Sequence, residues 1–310
     1  KAKQNPLIIV DSGRMFQDPR VEEDAEKVSM NARLISRAYG RMGVHAVNVG
    51  DLELLQGIPF LKEQASQGLN LISANLVDAS GKNTIFPPYF IYNVENFRIA
   101  FFGLLSSDMV PEIRKAIGED AVAIDPIKTA REMVSQLRKE ADVVILLSSL
   151  GLDKEREIIS KIPGIHFVMG GHEGRFYHSM LKEGETFITQ SYWAGMYTGR
   201  LDLTLRNATS SFHDAGEKFR IKKEITDLDR RLERIKSVLN EGESNVLEFT
   251  FQKVVKKRAQ LQETLDSLNR LPYTGNLFQW QMVPLDNSYK EDLEVVDWIR
   301  KSGFTENAKN

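Results

Sequence analysis

The sequence predicts an α/β sandwich of two stacked sheets flanked by helices, followed by an antiparallel helical hairpin. Three observations carry that expectation: short apolar runs alternate with helix-period segments, Ala141–Arg175 reads as a βαβ unit, and a heptad seam opens near Phe219. In the βαβ unit, Val143–Leu147 is a buried strand, Ser148–Gly151 a polar turn, Lys154–Ile162 an amphipathic helix and Ile165–Met169 a second buried strand running into Gly170-Gly171-His172. Ligands on such sheets sit beyond the carboxyl ends of the strands, which singles out Ser148–Ser149 and Gly171–His172.

Taken in order, Leu7–Val10 is a short β run and DSGRMFQDP a loop by its Asp, Gly and Pro content. Val28, Ala32, Ile35 and Tyr39 recur at helical spacing, predicting a helix from Val21 that ends on Gly40. Val44–Val49 reads as a strand, Gly50-Asp51 as the start of a loop, Ile58–Gln67 as a helix and Leu69–Ala74 as a strand. Pro87–Asn93 and Arg98–Leu104 form a hairpin turning near Val94-Glu95-Asn96; Ile127–Glu140 is a helix, and Phe187–Gln190 and Gly199–Leu205 are the last strands.

The composition changes at Ala215. Ile221, Ile225, Leu228, Leu232, Ile235 and Leu239 step by four and three, Asn240–Ser244 interrupts, and Leu247, Phe251, Val254, Leu261, Leu265 and Leu268 resume with Arg258 in the seam. So short a loop forces the two helices antiparallel, a coiled-coil hairpin roughly 36 Å long. Gly275–Gly303 then shows an alternating strand, Leu277–Val283, and a short acidic helix.

The 310 residues are enough for one large domain with an appendage, and the net charge of -2 gives no footprint for nucleic acid. No apolar run approaches the roughly 18 residues of a membrane span, so no membrane insertion is expected. The chain has no cysteine, hence no thiolate metal site, thiol nucleophile or haem attachment of its own.

The strand ends LSSLG and GGHEG resemble the LSHLG and GGHSH of the 5'-nucleotidase branch of the metallophosphoesterases. VDSGRMF (Val10–Phe16), VGDLELLQG (Val49–Gly57), SANL (Ser73–Leu76), PPYFIY (Pro87–Tyr92) and ITQSYWAGMYTGRLDL (Ile188–Leu203) agree in order with that family. The resemblance implies a phosphoesterase-like domain over 1–214, the hairpin over 215–272 and a strand-plus-helix tail over 273–310. It also implies an upstream strand ending in Asp-x-His, so residues are expected to precede Lys1 in the natural product. With its hairpin and "GN-strand-VPLD" tail, the chain further resembles delta-proteobacterial envelope proteins in which a multihaem c-type cytochrome domain follows. That likeness implies a periplasmic or extracellular location, a protein partner through 215–272 of the cytochrome kind, and haem only in an adjoining domain or partner.

Two-metal phosphoester hydrolysis needs several ligands converging on a cation pair about 3.5–4 Å apart. Carried over residue by residue, the family's site becomes Asp11, Arg14, Asp51, Leu52, Ser149, His172 and Gly174. Arg14 stands at the bridging aspartate, Asp51 at the asparagine, Leu52 at the catalytic histidine, Ser149 at the LSH histidine and Gly174 at the second GHSH histidine. Asp51 and His172 remain able to ligate a metal, and two ligands do not hold a pair. Arg14 either neutralises Asp51 in place of the cations or points to solvent; with Arg175 it could hold an anion.

Other candidates read as structural. His45 and His166 lie in apolar strand contexts, Ser148–Ser149 lacks a GxSxG elbow, and Tyr192, Trp193 and Tyr197 read as packing. The expectation is a degenerate metallophosphoesterase-fold binding or structural module, a pseudoenzyme with no catalytic residue. An active 5'-nucleotidase or related phosphohydrolase is the alternative, and a phosphate or nucleotide sensor without hydrolysis a further one.

Overall fold

The computed structural model describes residues 5–20, 24–192, 195–208, 211–239, 245–270 and 275–302. In chain order the elements are β1 (Val10–Asp11), α1 (Ala25–Met42), β2 (Ala46–Asn48), α2 (Asp51–Leu54), α3 (Ile58–Ser66), β3 (Leu71–Ile72), β4 (Leu76–Asp78) and β5 (Tyr89–Val94). They continue with β6 (Phe97–Leu105), α4 (Pro111–Ile117), β7 (Ala121–Ala123), α5 (Pro126–Glu140), β8 (Val143–Ser149), α6 (Leu152–Lys161), β9 (Phe167–Gly170), β10 (Leu181–Glu183) and β11 (Thr186–Gln190). The last are β12 (Tyr197–Thr204), β13 (Phe212–Asp214), α7 (Glu217–Leu239), α8 (Asn245–Arg270), β14 (Asn276–Pro284) and α9 (Leu293–Lys301).

The chain divides into two compact units, one of residues 1–200 with 281–310 and one of residues 201–280. In the first, a six-stranded sheet runs β10-β11-β9-β8-β6-β5 and a three-stranded sheet runs β1-β2-β3. β6, β8, β9 and β11 are mutually parallel, with Ile145 opposite both Phe101 and Phe167. Every residue of β8 is buried, which is why this strand is an unbroken apolar run until its last two serines. One core cluster gathers Phe102, Val144, Leu146 and Val168 with Ala130, Val134 and Leu137 of α5 and Ile158 of α6. A second gathers Val47 and Leu71 of the small sheet with Ala32 of α1 and Leu61 of α3.

Several element ends differ from the sequence expectation. The first helix runs past Gly40 and stops at Gly43, which takes φ 69° and donates to the Gly40 and Tyr39 carbonyls. Asp24 caps its start, accepting from the Glu26 and Lys27 amides. The first strand is Val10–Asp11 rather than Leu7–Val10, and Leu7 is left exposed. Gly50-Asp51 does not open a loop. Asp51 starts the short helix α2, because the Glu53 carboxylate reaches back to the Gly50 amide at 2.8 Å and closes the turn.

In the second unit, α7 and α8 pack antiparallel: Ile221 and Ile225 meet Leu265 at one end, and Leu228, Leu232 and Ile235 meet Val254 toward the other. The seam residue Arg258 leaves the apolar interface sideways, its Nε 2.8 Å from Asp229. The segment Asn240–Ser244, expected to interrupt the helices, lies outside the described residues. The Gly275-Asn276 pair has a packing reason. A Cβ on Gly275 would stand 2.7 Å from the Ser211 carbonyl, and buried Asn276 holds the Arg206 and Asn207 backbone through its amide.

Candidate functional site

Ser12–Arg14 follow β1, Gly50–Glu53 follow β2, Ser148–Ser149 end β8 and Gly171–His172 follow β9, so parallel strand ends bring all four segments to one edge of the sheets. Their closeness shows in the glycines. A Cβ on Gly171 would stand 3.0 Å from the Gly13 carbonyl, and one on Gly50 would stand 3.2 Å from the Ser149 Cβ and 2.9 Å from Glu53 Oε2.

Arg14 is the centre of this convergence. Its backbone is in the left-handed region at φ 68°, a conformation that costs a non-glycine residue about 1 kcal/mol. Its amide donates to Glu53 Oε2 at 2.8 Å. The guanidinium lies with Nε 3.2 Å from Asp51 Oδ1, a close ion pair without hydrogen-bond alignment, and one terminal nitrogen donates to the His172 carbonyl. Arg14 therefore ties the β1 loop to both α2 and the β9 loop. The solvent-pointing alternative does not describe this side chain.

The other positions fall around it. Asp11 takes the Tyr39 hydroxyl at 2.7 Å and the Gly13 amide at 2.8 Å; burial pushes its carboxyl up, against those two hydrogen bonds. Leu52 is buried, and the Ser149 hydroxyl turns to the Leu104 carbonyl at 3.4 Å. His172 keeps a buried Nδ1 that has no hydrogen-bond partner among the described residues. Gly174 takes φ 60° in the turn after it. Arg175 is more than half exposed and pairs with Glu173 at 2.9 Å.

Three residues that organise the site escaped the motif reading. Glu53 is completely buried and accepts the amides of Arg14, Met15 and Gly50 at 2.7–2.8 Å. Burial pushes its carboxyl up to about 7, against those backbone donors. Its signal was available: a glutamate three residues after a helix-starting Gly is a capping-box position. Asn48 is buried at the end of β2 and donates to the Ser12 and Leu104 carbonyls, both at 3.0 Å. Glu155, on the inner face of α6, is buried beneath Gly170.

His45 and His166 accept backbone amides on Nδ1, from Ile9 at 3.2 Å and Val144 at 2.9 Å. Tyr192 and Tyr197 pack edge-to-face against each other and against Phe176. Trp193 lies outside the described residues.

The donor set does not fit a metal pair. Among the described residues no three His, Cys, Asp or Glu side chains are grouped to hold an ion. A permanently charged guanidinium stands against Asp51, the position at which the resemblance places a metal-binding asparagine.

The fold is that of the metallophosphoesterases. No protein-family model matches the sequence. The chain is 22% identical over 302 residues to the trifunctional nucleotide phosphoesterase YfkN of Bacillus subtilis, covering 84% of this chain and 20% of that protein. It is 25% identical over 207 residues to a 5'-nucleotidase of Vibrio cholerae, covering 55% of this chain and 37% of that one. The crystal structure of the calcineurin-like phosphoesterase YfkN from Bacillus subtilis superposes with a TM-score of 0.62 at 16% identity, over 96% of this chain and 82% of that chain. The chain thus spans well under half the length of both curated relatives.

Proposed function

We propose that this chain is a metallophosphoesterase-fold module whose two-metal site has been replaced, and that it serves in binding or structure rather than hydrolysis. The observation that carries this reading is the place of Arg14, whose guanidinium engages Asp51 and the His172 carbonyl at the junction of the loops. A fixed positive charge there offsets the remaining carboxylate without a bound cation. Asp11 and Glu53, two further carboxylates nearby, accept hydrogen bonds from Tyr39 and from backbone amides. Metal analysis of the purified protein together with a phosphatase assay on nucleoside monophosphates tests the reading. We expect no stoichiometric metal and no turnover; about two equivalents of tightly held metal with turnover would replace it by an active phosphohydrolase.

The hairpin is the contact arm in this reading. Phe219, Val246 and Phe249 are exposed on its helices, beyond the buried seam. The partner implied by the sequence resemblance is a multihaem c-type cytochrome in a periplasmic or extracellular setting, with haem held in an adjoining domain or in that partner. Among the described residues no helix is long and apolar enough to cross a membrane. Cross-linking from Lys253 or Lys256, followed by identification of the attached protein, checks the assignment.

A further inference from the structure

Glu155 is used by nothing described so far. It is completely buried, and neither carboxyl oxygen has a hydrogen-bond partner within 3.5 Å among the described residues, although the Ser148 hydroxyl is near enough to favour its ionised form weakly. It faces the end of β9 from α6: a Cβ on Gly170 would stand 2.8 Å from its Oε1 and 3.2 Å from the Nε2 of Gln190 on β11. Ser148 adjoins it from β8, while Glu173 and Tyr177 act on it from the loop after β9. Arg175, the cation of that loop, is drawn outward to Glu173.

Glu173 is its opposite in every respect. It receives the Leu152 amide at the start of α6 at 3.0 Å, the Gln190 amide group at 3.3 Å and Arg175 at 2.9 Å. These contacts clamp the His172 loop onto α6 and β11. A negative charge on Glu155 would stand next to this clamp, desolvated and facing a second carboxylate.

We propose that Glu155 is a proton-operated latch: neutral, it lets α6 close beneath the Gly170–Arg175 loop, and ionised, it drives that loop off α6 and opens the junction around Arg14. Burial first, and then the charge of Glu173, push its carboxyl up to about 7, while Ser148 opposes them. The change therefore ends close to neutral pH. Because the carboxyl binds its proton more tightly in the closed form, the closed form loses ground as pH climbs from the ordinary value of 4.5 to about 7, and the loss is complete above that. The inference concerns the loop alone and holds whether or not the junction binds metal.

Hydrogen exchange of peptides covering residues 170–176, corrected for the intrinsic pH dependence of exchange, reads the latch directly. In the full chain, protection should fall at least tenfold between pH 5 and pH 8, and Glu155→Gln should keep its protection across that range. Protection independent of pH, or the same profile in the variant, would overturn the proposal. Carboxyl carbon NMR of the unaltered chain gives a second reading that does not require the variant to fold: a Glu155 midpoint near neutrality supports the latch, and one at about 4 to 5 refutes it.

Discussion

Nε of Arg14 lies 3.2 Å from Oδ1 of Asp51, and the same guanidinium donates to the carbonyl of His172 after β9. One side chain thus links the loop after β1 to the start of α2 and to the loop after β9. It does so from a left-handed backbone, so its contacts are set against a local conformational cost.

Two substitutions separate these terms. Arg14→Ala removes the pair while keeping the φ of 68°, and should lower stability by about 1 kcal/mol, the pair being about a quarter exposed and partly screened. Arg14→Gly removes the same contacts and relieves the backbone, recovering about 1 kcal/mol relative to alanine. Thermal melts of the two variants check this; equal melting temperatures for both and for the unaltered chain would show that the guanidinium does not bind the loops.

Glu53 should prove more important to the fold than Arg14. Its two oxygens receive three backbone amides at 2.7–2.8 Å in a site closed to water. Glu53→Gln turns an N–H group toward one or more of those donors and leaves a buried amide unsatisfied, a loss of about 1–3 kcal/mol. Urea unfolding should show a lower midpoint than for Arg14→Ala, and the reverse order would contradict the role given to Glu53.

How much of this was legible follows from what sets each feature. The helix face of Val28, Ala32, Ile35 and Tyr39 and the unbroken β8 run are consequences of burial, which leaves a period in the sequence. The seam of α7 and α8 is legible for the same reason. Gly40 and Gly43 show where pattern stops helping: both glycines suit a helix end, and the left-handed turn falls at the one where the apolar stripe has run out. The roles of Glu53, Asn48 and Glu155 depend on which backbone groups come within hydrogen-bond reach. That is a property of the assembled loops, and residue type alone shows only an acid or an amide.

Acid should weaken the protein through His166. Burial first, then the nearby Arg138, hold its imidazole down at about 4, and Nδ1 is occupied as the acceptor of the Val144 amide. The unfolded chain takes up a proton below about 6.5 and the folded chain does not until about 4, so stability from this group is lost as pH falls through that interval. Glu53 and Glu155 act in the opposite sense, since their raised values favour the folded state at low pH and that advantage is lost as pH climbs from 4.5 to about 7. His166→Asn keeps an acceptor for Val144 and removes the titration. The drop in urea midpoint between pH 6.5 and pH 4.5 should be smaller in the variant; an equal drop would remove His166 from the account.

Arg258 breaks an otherwise apolar seam, and its contribution can be separated from the packing around it. Ile235 is buried among Leu228, Leu232 and Val254, so Ile235→Ala should cost about 2–4 kcal/mol of hairpin stability through lost transfer free energy and a residual cavity. Arg258 lies in the register of Val254 and Leu261, yet its guanidinium runs out to Asp229, and both partners are more than a third exposed. Such a pair stabilises little in water, and Asp229 can be solvated without it. Arg258→Leu should therefore raise the melting temperature by extending the apolar contact across the gap, while Arg258→Ala should leave it nearly unchanged or lower. A fall in both would show that the Arg258–Asp229 pair fixes the register of the two helices, in which case circular dichroism of Arg258→Leu should also lose the sharpness of its transition.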